Sequence, residues 1–167
     1  MKEERVNGSG RGRALVRPVL IALGAAVVTF AAPSLAQQQP GLDAWQRGSC
    51  TACHGSLAQG GGGGEMPAGP NLRRTRLTPA ELKETIACGR GDMPYHLEAA
   101  YATVPCYGIP VPGPAGAALG APLTAAEIDA LVDFLTKEVV GVTTITRAAC
   151  AVFFGGNTNA PACAQYR

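Results

Sequence analysis

Large side chains are scarce in this sequence. It holds one Trp, four Tyr and four Phe, and only two histidines, His54 and His96. No run reaches the roughly 20 apolar residues of a membrane-spanning helix. The longest, "VLIALGAAVVTFAA" from Val19 to Ala32, stops short. No alternation of period two persists, which excludes a fold built mainly on sheets. A surplus of one charge sign is also missing from most of the chain. Five of the 14 Lys and Arg (Lys2, Arg5, Arg11, Arg13 and Arg17) precede the apolar run, with two acidic residues among them. The remainder carries nine basic and ten acidic residues. A net charge of −1 there excludes the basic face of a nucleic-acid binder.

The basic start, the apolar run and "PSLAQQQPG" follow the order of a secretory leader, with Ser34 and Ala36 as the small residues before a cut. This pattern predicts residues 1–36 as a signal peptide cleaved after Ala36, export to a bacterial periplasm, and a mature chain from Gln37. A retained N-terminal anchor is the competing reading. The body at 37–142 is then one modest domain, and 143–167 forms a C-terminal extension.

What is present reads as short helices joined by loops. The first spans about Leu42 to Cys53. "LTPAEL" and "LTAAEI" each open with a capping box, Thr78 with Glu81 and Thr124 with Glu127. After the second box, Ile128, Leu131, Val132, Leu135 and Val139 fall on one face of a helix ending near Gly141. A further short helix is expected around Arg147 to Phe154. The glycine run from Gly60 and the Pro/Gly/Ala-rich span from Tyr107 to Leu123 read as loops. Three short helices holding long loops make a thin core, so something else should fill the middle.

All six cysteines lie in the body and tail. Cys88, Cys106, Cys150 and Cys163 allow three pairings, of which Cys88–Cys106 and Cys150–Cys163 close short loops beside helices and are favoured. That leaves "GSCTACHGS". A thioredoxin-like dithiol belongs to an α/β context that is lacking here. Zinc wants four ligands, and His96 is the only other histidine. C-x-x-C-H uses all three residues at once: Cys50 and Cys53 as thioether links to one haem c, and His54 on its iron.

From about Leu42 to Val140 the chain resembles the class I, mono-haem c-type cytochromes. Trp45 stands at the aromatic position before the first haem cysteine. "GPNL" (Gly69 to Leu72) is similar to the family's histidine-side loop, which implies a hydrogen bond from His54 Nδ1 to the Pro70 carbonyl. "GRGDMPYH" resembles the Met-Pro ligand loop, which implies Met93 as the sixth ligand. Met66 and His96 are the rivals, and His96 otherwise reads as a partly exposed loop residue. Phe134 and Leu135 sit where the last helix would cross the first. The resemblance implies an all-α, cytochrome c-like domain wrapped around one covalent haem, with loop-rich extensions. Arg73, Arg74 and Arg76 are expected near the haem pocket, one to pair with a propionate and the others as a docking edge for an acidic partner, with an ordinary solvated face as the alternative. Tyr95 is expected either on a propionate or in packing.

The expected function is electron transfer between periplasmic or membrane redox proteins, with no small-molecule substrate, no nucleic acid and no catalytic residue. The alternatives are a cytochrome subunit held by a dehydrogenase or oxidase, or a haem enzyme or gas-binding protein with an open iron.

Overall fold

A computed structural model describes residues 39–62, 67–111 and 118–167. The expected leader, Met66 and the middle of the Pro/Gly/Ala-rich span lie outside the described residues.

The first expected helix is two. α1 covers Pro40–Arg47 and α2 covers Thr51–His54. Between them Ser49 takes a left-handed backbone with φ of 55°. Gly48 leaves no room for a side chain, since a Cβ would sit 3.1 Å from the Ala44 carbonyl oxygen and 3.2 Å from Cys50 Sγ. The chain therefore turns before the cysteines, and the C-x-x-C-H residues form a separate helical turn.

Both capping boxes close as the sequence predicts. α3 (Pro79–Cys88) starts at Thr78, and α4 (Ala125–Phe134) starts at Thr124, each with the reciprocal Glu bond. The last turn after α4, Leu135–Val139, widens to a π-type turn. α1 and α4 cross so closely that a Cβ on Gly41 would strike the Ala130 carbonyl oxygen and Phe134 Cβ. Arg47 and Glu127 form an ion pair across the same two helices.

The all-α expectation needs correction. β1 (Tyr95–Leu97) pairs in parallel with β2 (Leu119–Leu123), Tyr95 opposite Leu119 and Leu97 opposite Leu123. A strand reading Leu-Gly-Ala-Pro-Leu has no β-branched or aromatic residue, so no local preference announced it. The cytochrome c-like arrangement of helices is consistent with the rest.

Both favoured disulfides are present, Cys88–Cys106 and Cys150–Cys163. The tail is more than an appendage. α5 (Arg147–Ala151) leads into Phe153, which packs edge-on against Trp45 at 5.6 Å and Phe134 at 5.4 Å between ring centroids. It fills the space behind the helix crossing. Among the described residues no helix is long and apolar enough to cross a membrane.

Candidate functional site: a histidine-walled apolar cavity

A cavity of about 670 Å³ opens in the middle of the fold. That is within the range of roughly 300–1,000 Å³ usual for cofactor and ligand sites. Trp45, Leu72, Leu82, Ile86, Leu131 and Leu135 give it apolar walls. Cys50, Cys53, His54, Pro70 and Met93 all line it. The structure thus brings these five residues together around one cavity.

The His54 wall is tied down by backbone. His54 is buried, and its Nδ1 donates to the Pro70 carbonyl oxygen at 3.0 Å. A carbonyl only accepts, so Nδ1 carries the proton and Nε2 keeps its lone pair. The Cys53 carbonyl accepts from the amides of Gly62, at 2.8 Å, and Gly69, at 2.7 Å. The Gly60 amide donates to the His54 carbonyl at 2.7 Å. These bonds bring Gly60, Gly62 and Gly69 against the backbone of Cys53 and His54. A Cβ on Gly69 would lie 2.9 Å from both the Cys53 carbonyl oxygen and His54 Nδ1.

Cys50 and Cys53 stand unpaired beside two formed disulfides. Burial pushes the Cys50 thiol up to about 12, with neighbouring Cys53 adding to it and a backbone hydrogen bond opposing it. A dithiol built for exchange has its attacking thiol lowered instead. Among the described residues no three His, Cys, Asp or Glu stand close enough to hold a metal ion unaided. An iron here needs most of its donors from elsewhere, and a porphyrin supplies four. Trp45 Nε1, buried on the cavity wall, has no hydrogen-bond partner among the described residues. An apolar volume of this size, two unpaired cysteines on its edge, an oriented histidine and an orphaned indole fit a haem.

The opposite entries in the sequence are more scattered in origin. Met93 is half-buried, and its amide and carbonyl exchange hydrogen bonds with Arg90, each at 3.1 Å. His96 is no partly exposed loop residue. It is buried on β1, lines the same cavity, and donates from Nδ1 to the Ala121 carbonyl oxygen at 2.8 Å. Its ring lies over Gly120, where a Cβ would come within 2.7 Å of Cε1. Gly120 and Ala121 therefore belong to the site, although sequence reasoning placed them in a surface loop. The signal that would have found them is a strand partner for Tyr95–Leu97, and it is long-range.

The arginines separate. Arg73 is almost fully buried, donating from Nε to the Leu57 carbonyl at 2.8 Å and from Nη1 to the Val142 carbonyl at 3.0 Å. Its guanidinium lies 5.7 Å from the Phe153 ring centroid. It holds the tail, and it is neither a docking residue nor a lining one. Arg74 is exposed and lines the cavity, and Arg76 is exposed without lining it. Tyr95 packs edge-on against Tyr101 at 5.7 Å and does not line the cavity. Arg90 and Asp92 do, and the sequence reading had not singled them out.

A helix crossing behind a C-x-x-C-H turn, with its histidine held by a proline carbonyl, agrees with the resemblance to the class I, mono-haem c-type cytochromes. Within that class the match is to a family: residues 36–100 fit the model described as cytochrome c oxidase, cbb3-type, subunit III. That segment carries α1 through β1. The match supports a c-type cytochrome in electron transfer, a carrier more than a catalyst, with covalently bound haem c. No curated protein and no solved structure matches the chain.

Proposed function

We propose that this protein is a periplasmic electron carrier holding one haem c. Cys50 and Cys53 would hold it by thioethers, and His54 and Met93 would be the ligands to its iron. The single observation that carries this is the His54 Nδ1–Pro70 bond at 3.0 Å on the cavity wall. A carbonyl on the far nitrogen fixes ring orientation and raises the basicity of the ligating one, as in most histidine-metal sites. Haem supplies the one-electron chemistry, and a His/Met pair favours the reduced state. The chain's part is to keep water from the iron with the apolar wall, hold the ring of His54, and present the thioether of Met93.

The domain limits expected from sequence, 37–142 with an extension at 143–167, remain part of this proposal, as does removal of residues 1–36. Intact mass of the exported protein tests the cut after Ala36. The main test is the optical spectrum, oxidised and reduced, with and without carbon monoxide. A low-spin spectrum with a weak far-red sulfur–iron band and no carbon monoxide shift supports the closed carrier. A high-spin spectrum that shifts with carbon monoxide overturns it in favour of an open iron.

A second reading is a subunit held by a membrane redox complex. The family description names an oxidase subunit, and Val104, Tyr107, Ile109 and Val111 leave an apolar loop exposed. Co-elution of the haem with a larger complex during size exclusion of a periplasmic or detergent extract distinguishes it from a free carrier.

A further inference from the structure

The chain has two histidines, and both line one cavity. Both are buried, at 7 % and 5 % exposure. Each rests Nδ1 on a backbone carbonyl, His54 on Pro70 at 3.0 Å and His96 on Ala121 at 2.8 Å. The acceptor dictates the same tautomer in both: proton on Nδ1, lone pair on Nε2. A neutral imidazole oriented in this way is the form that binds a metal. His96 is also seated by a glycine whose Cβ would meet its ring, so the ring position is fixed from behind. A histidine serving only to bridge two strands needs neither a cavity wall nor a second nitrogen without a hydrogen-bond partner among the described residues.

We infer that His96 is a second sixth-position donor, which binds through Nε2 when the Met93 thioether is absent or released. The inference rests on the proposed haem at Cys50, Cys53 and His54. Met93 and His96 share one short segment, Met93 in the turn with Arg90 and His96 on β1, and both line the cavity. One iron can accept one of them at a time. Exchange replaces an iron–sulfur bond by an iron–nitrogen bond without change of oxidation state or protonation, because Nε2 carries no proton. Imidazole in place of thioether lowers the reduction potential. The segment can therefore hold the haem in two states of different potential.

The test uses the full holoprotein and three variants, Met93→Ala, His96→Gln and the double substitution, followed by optical and low-temperature electron paramagnetic resonance spectra. The expected result is that Met93→Ala stays low-spin with bis-imidazole signals, a lowered potential and no carbon monoxide adduct. The double variant then becomes high-spin and binds carbon monoxide. His96→Gln, which keeps a polar group for Ala121, retains the far-red sulfur band. If Met93→Ala is already high-spin and binds carbon monoxide, His96 is a strand clasp only and the inference fails, while the His/Met carrier stands. If no variant, nor the parent, acquires haem with thioether links, the underlying reading fails as well. A parent already bis-imidazole upholds His96 as donor and removes Met93 from the proposed pair.

Discussion

The two walls of the cavity are built differently. The wall with His54 is assembled from α1, α2 and the Gly69–Leu72 loop, joined by backbone hydrogen bonds to the carbonyls of Cys53 and His54. The wall with Met93 and His96 is assembled from distant parts. A disulfide ties Cys88 to Cys106, Tyr101 and Tyr107 hold the carbonyls of Cys88 and Gly89 at 2.9 and 2.7 Å, and β2 arrives from beyond Leu119. A locally specified wall is rigid once its turn forms. The far wall closes a longer loop, His96 to Ala121 against His54 to Pro70, and the added chain entropy is about a few tenths of a kcal/mol. The near wall suits a fixed ligand, and the far wall suits one that can change.

The sharpest way to break the comparison removes the ring behind the near wall. Phe153→Ala empties the space between Trp45 and Phe134, and large-to-small changes at such sites cost about 3–5 kcal/mol. Thermal melting should fall steeply, with His54 ligation weakened along with global stability. If the melting point holds, the tail is not part of the core.

Next comes the staple of the far wall. Replacing Cys88 and Cys106 together with serine should cost about 3 kcal/mol, the entropy of the unfolded loop. Denaturant melts should show the loss, and native-state hydrogen exchange should place the added opening in residues 89–111. Uniform exchange across both walls would show that they open as one unit.

A matched pair of glycine substitutions refines this. Gly69→Ala presses on the Cys53 backbone oxygen and on His54 Nδ1, whereas Gly120→Ala presses on the ring of His96. Overpacking costs about 1–3 kcal/mol. Backbone gives way less than a side chain, so Gly69→Ala should destabilise more in denaturant titrations. Gly120→Ala should act mainly on the spectrum of the Met93→Ala background.

The smallest effect lies outside both walls. Thr78→Ala removes a capping box, a loss of about 1 kcal/mol. The Glu81 carboxyl is held below its ordinary value, first by the Thr78 backbone amide and then by its hydroxyl. A lowered folded-state value means the contribution is present above the ordinary carboxylate range and is lost as pH falls through the folded value. Thr78→Ala should therefore flatten the acid limb of the stability-against-pH curve slightly.

Legibility in the sequence follows the same division. The capping boxes, the C-x-x-C-H turn and the Pro70 bond are short-range features, and each stands where the sequence indicates. The disulfide pairs were legible because loop length narrowed three pairings. β2 was not legible, since Leu-Gly-Ala-Pro-Leu acquires its strand form only from Tyr95–Leu97 beside it. Arg73 was misread for a similar reason. A run of three arginines reads as surface, and only the fold reveals that Leu57, Val142 and Phe153 surround one of them.

Phe153 has one more consequence. A chain that emerges N-terminus first exposes Trp45 and the Cys50–Cys53 turn long before residue 153 exists. Until then the indole has no edge-on partner from the tail, and the helix crossing behind the cysteines stays unsealed. The packing behind the C-x-x-C-H turn is thus completed by the last-made part of the chain.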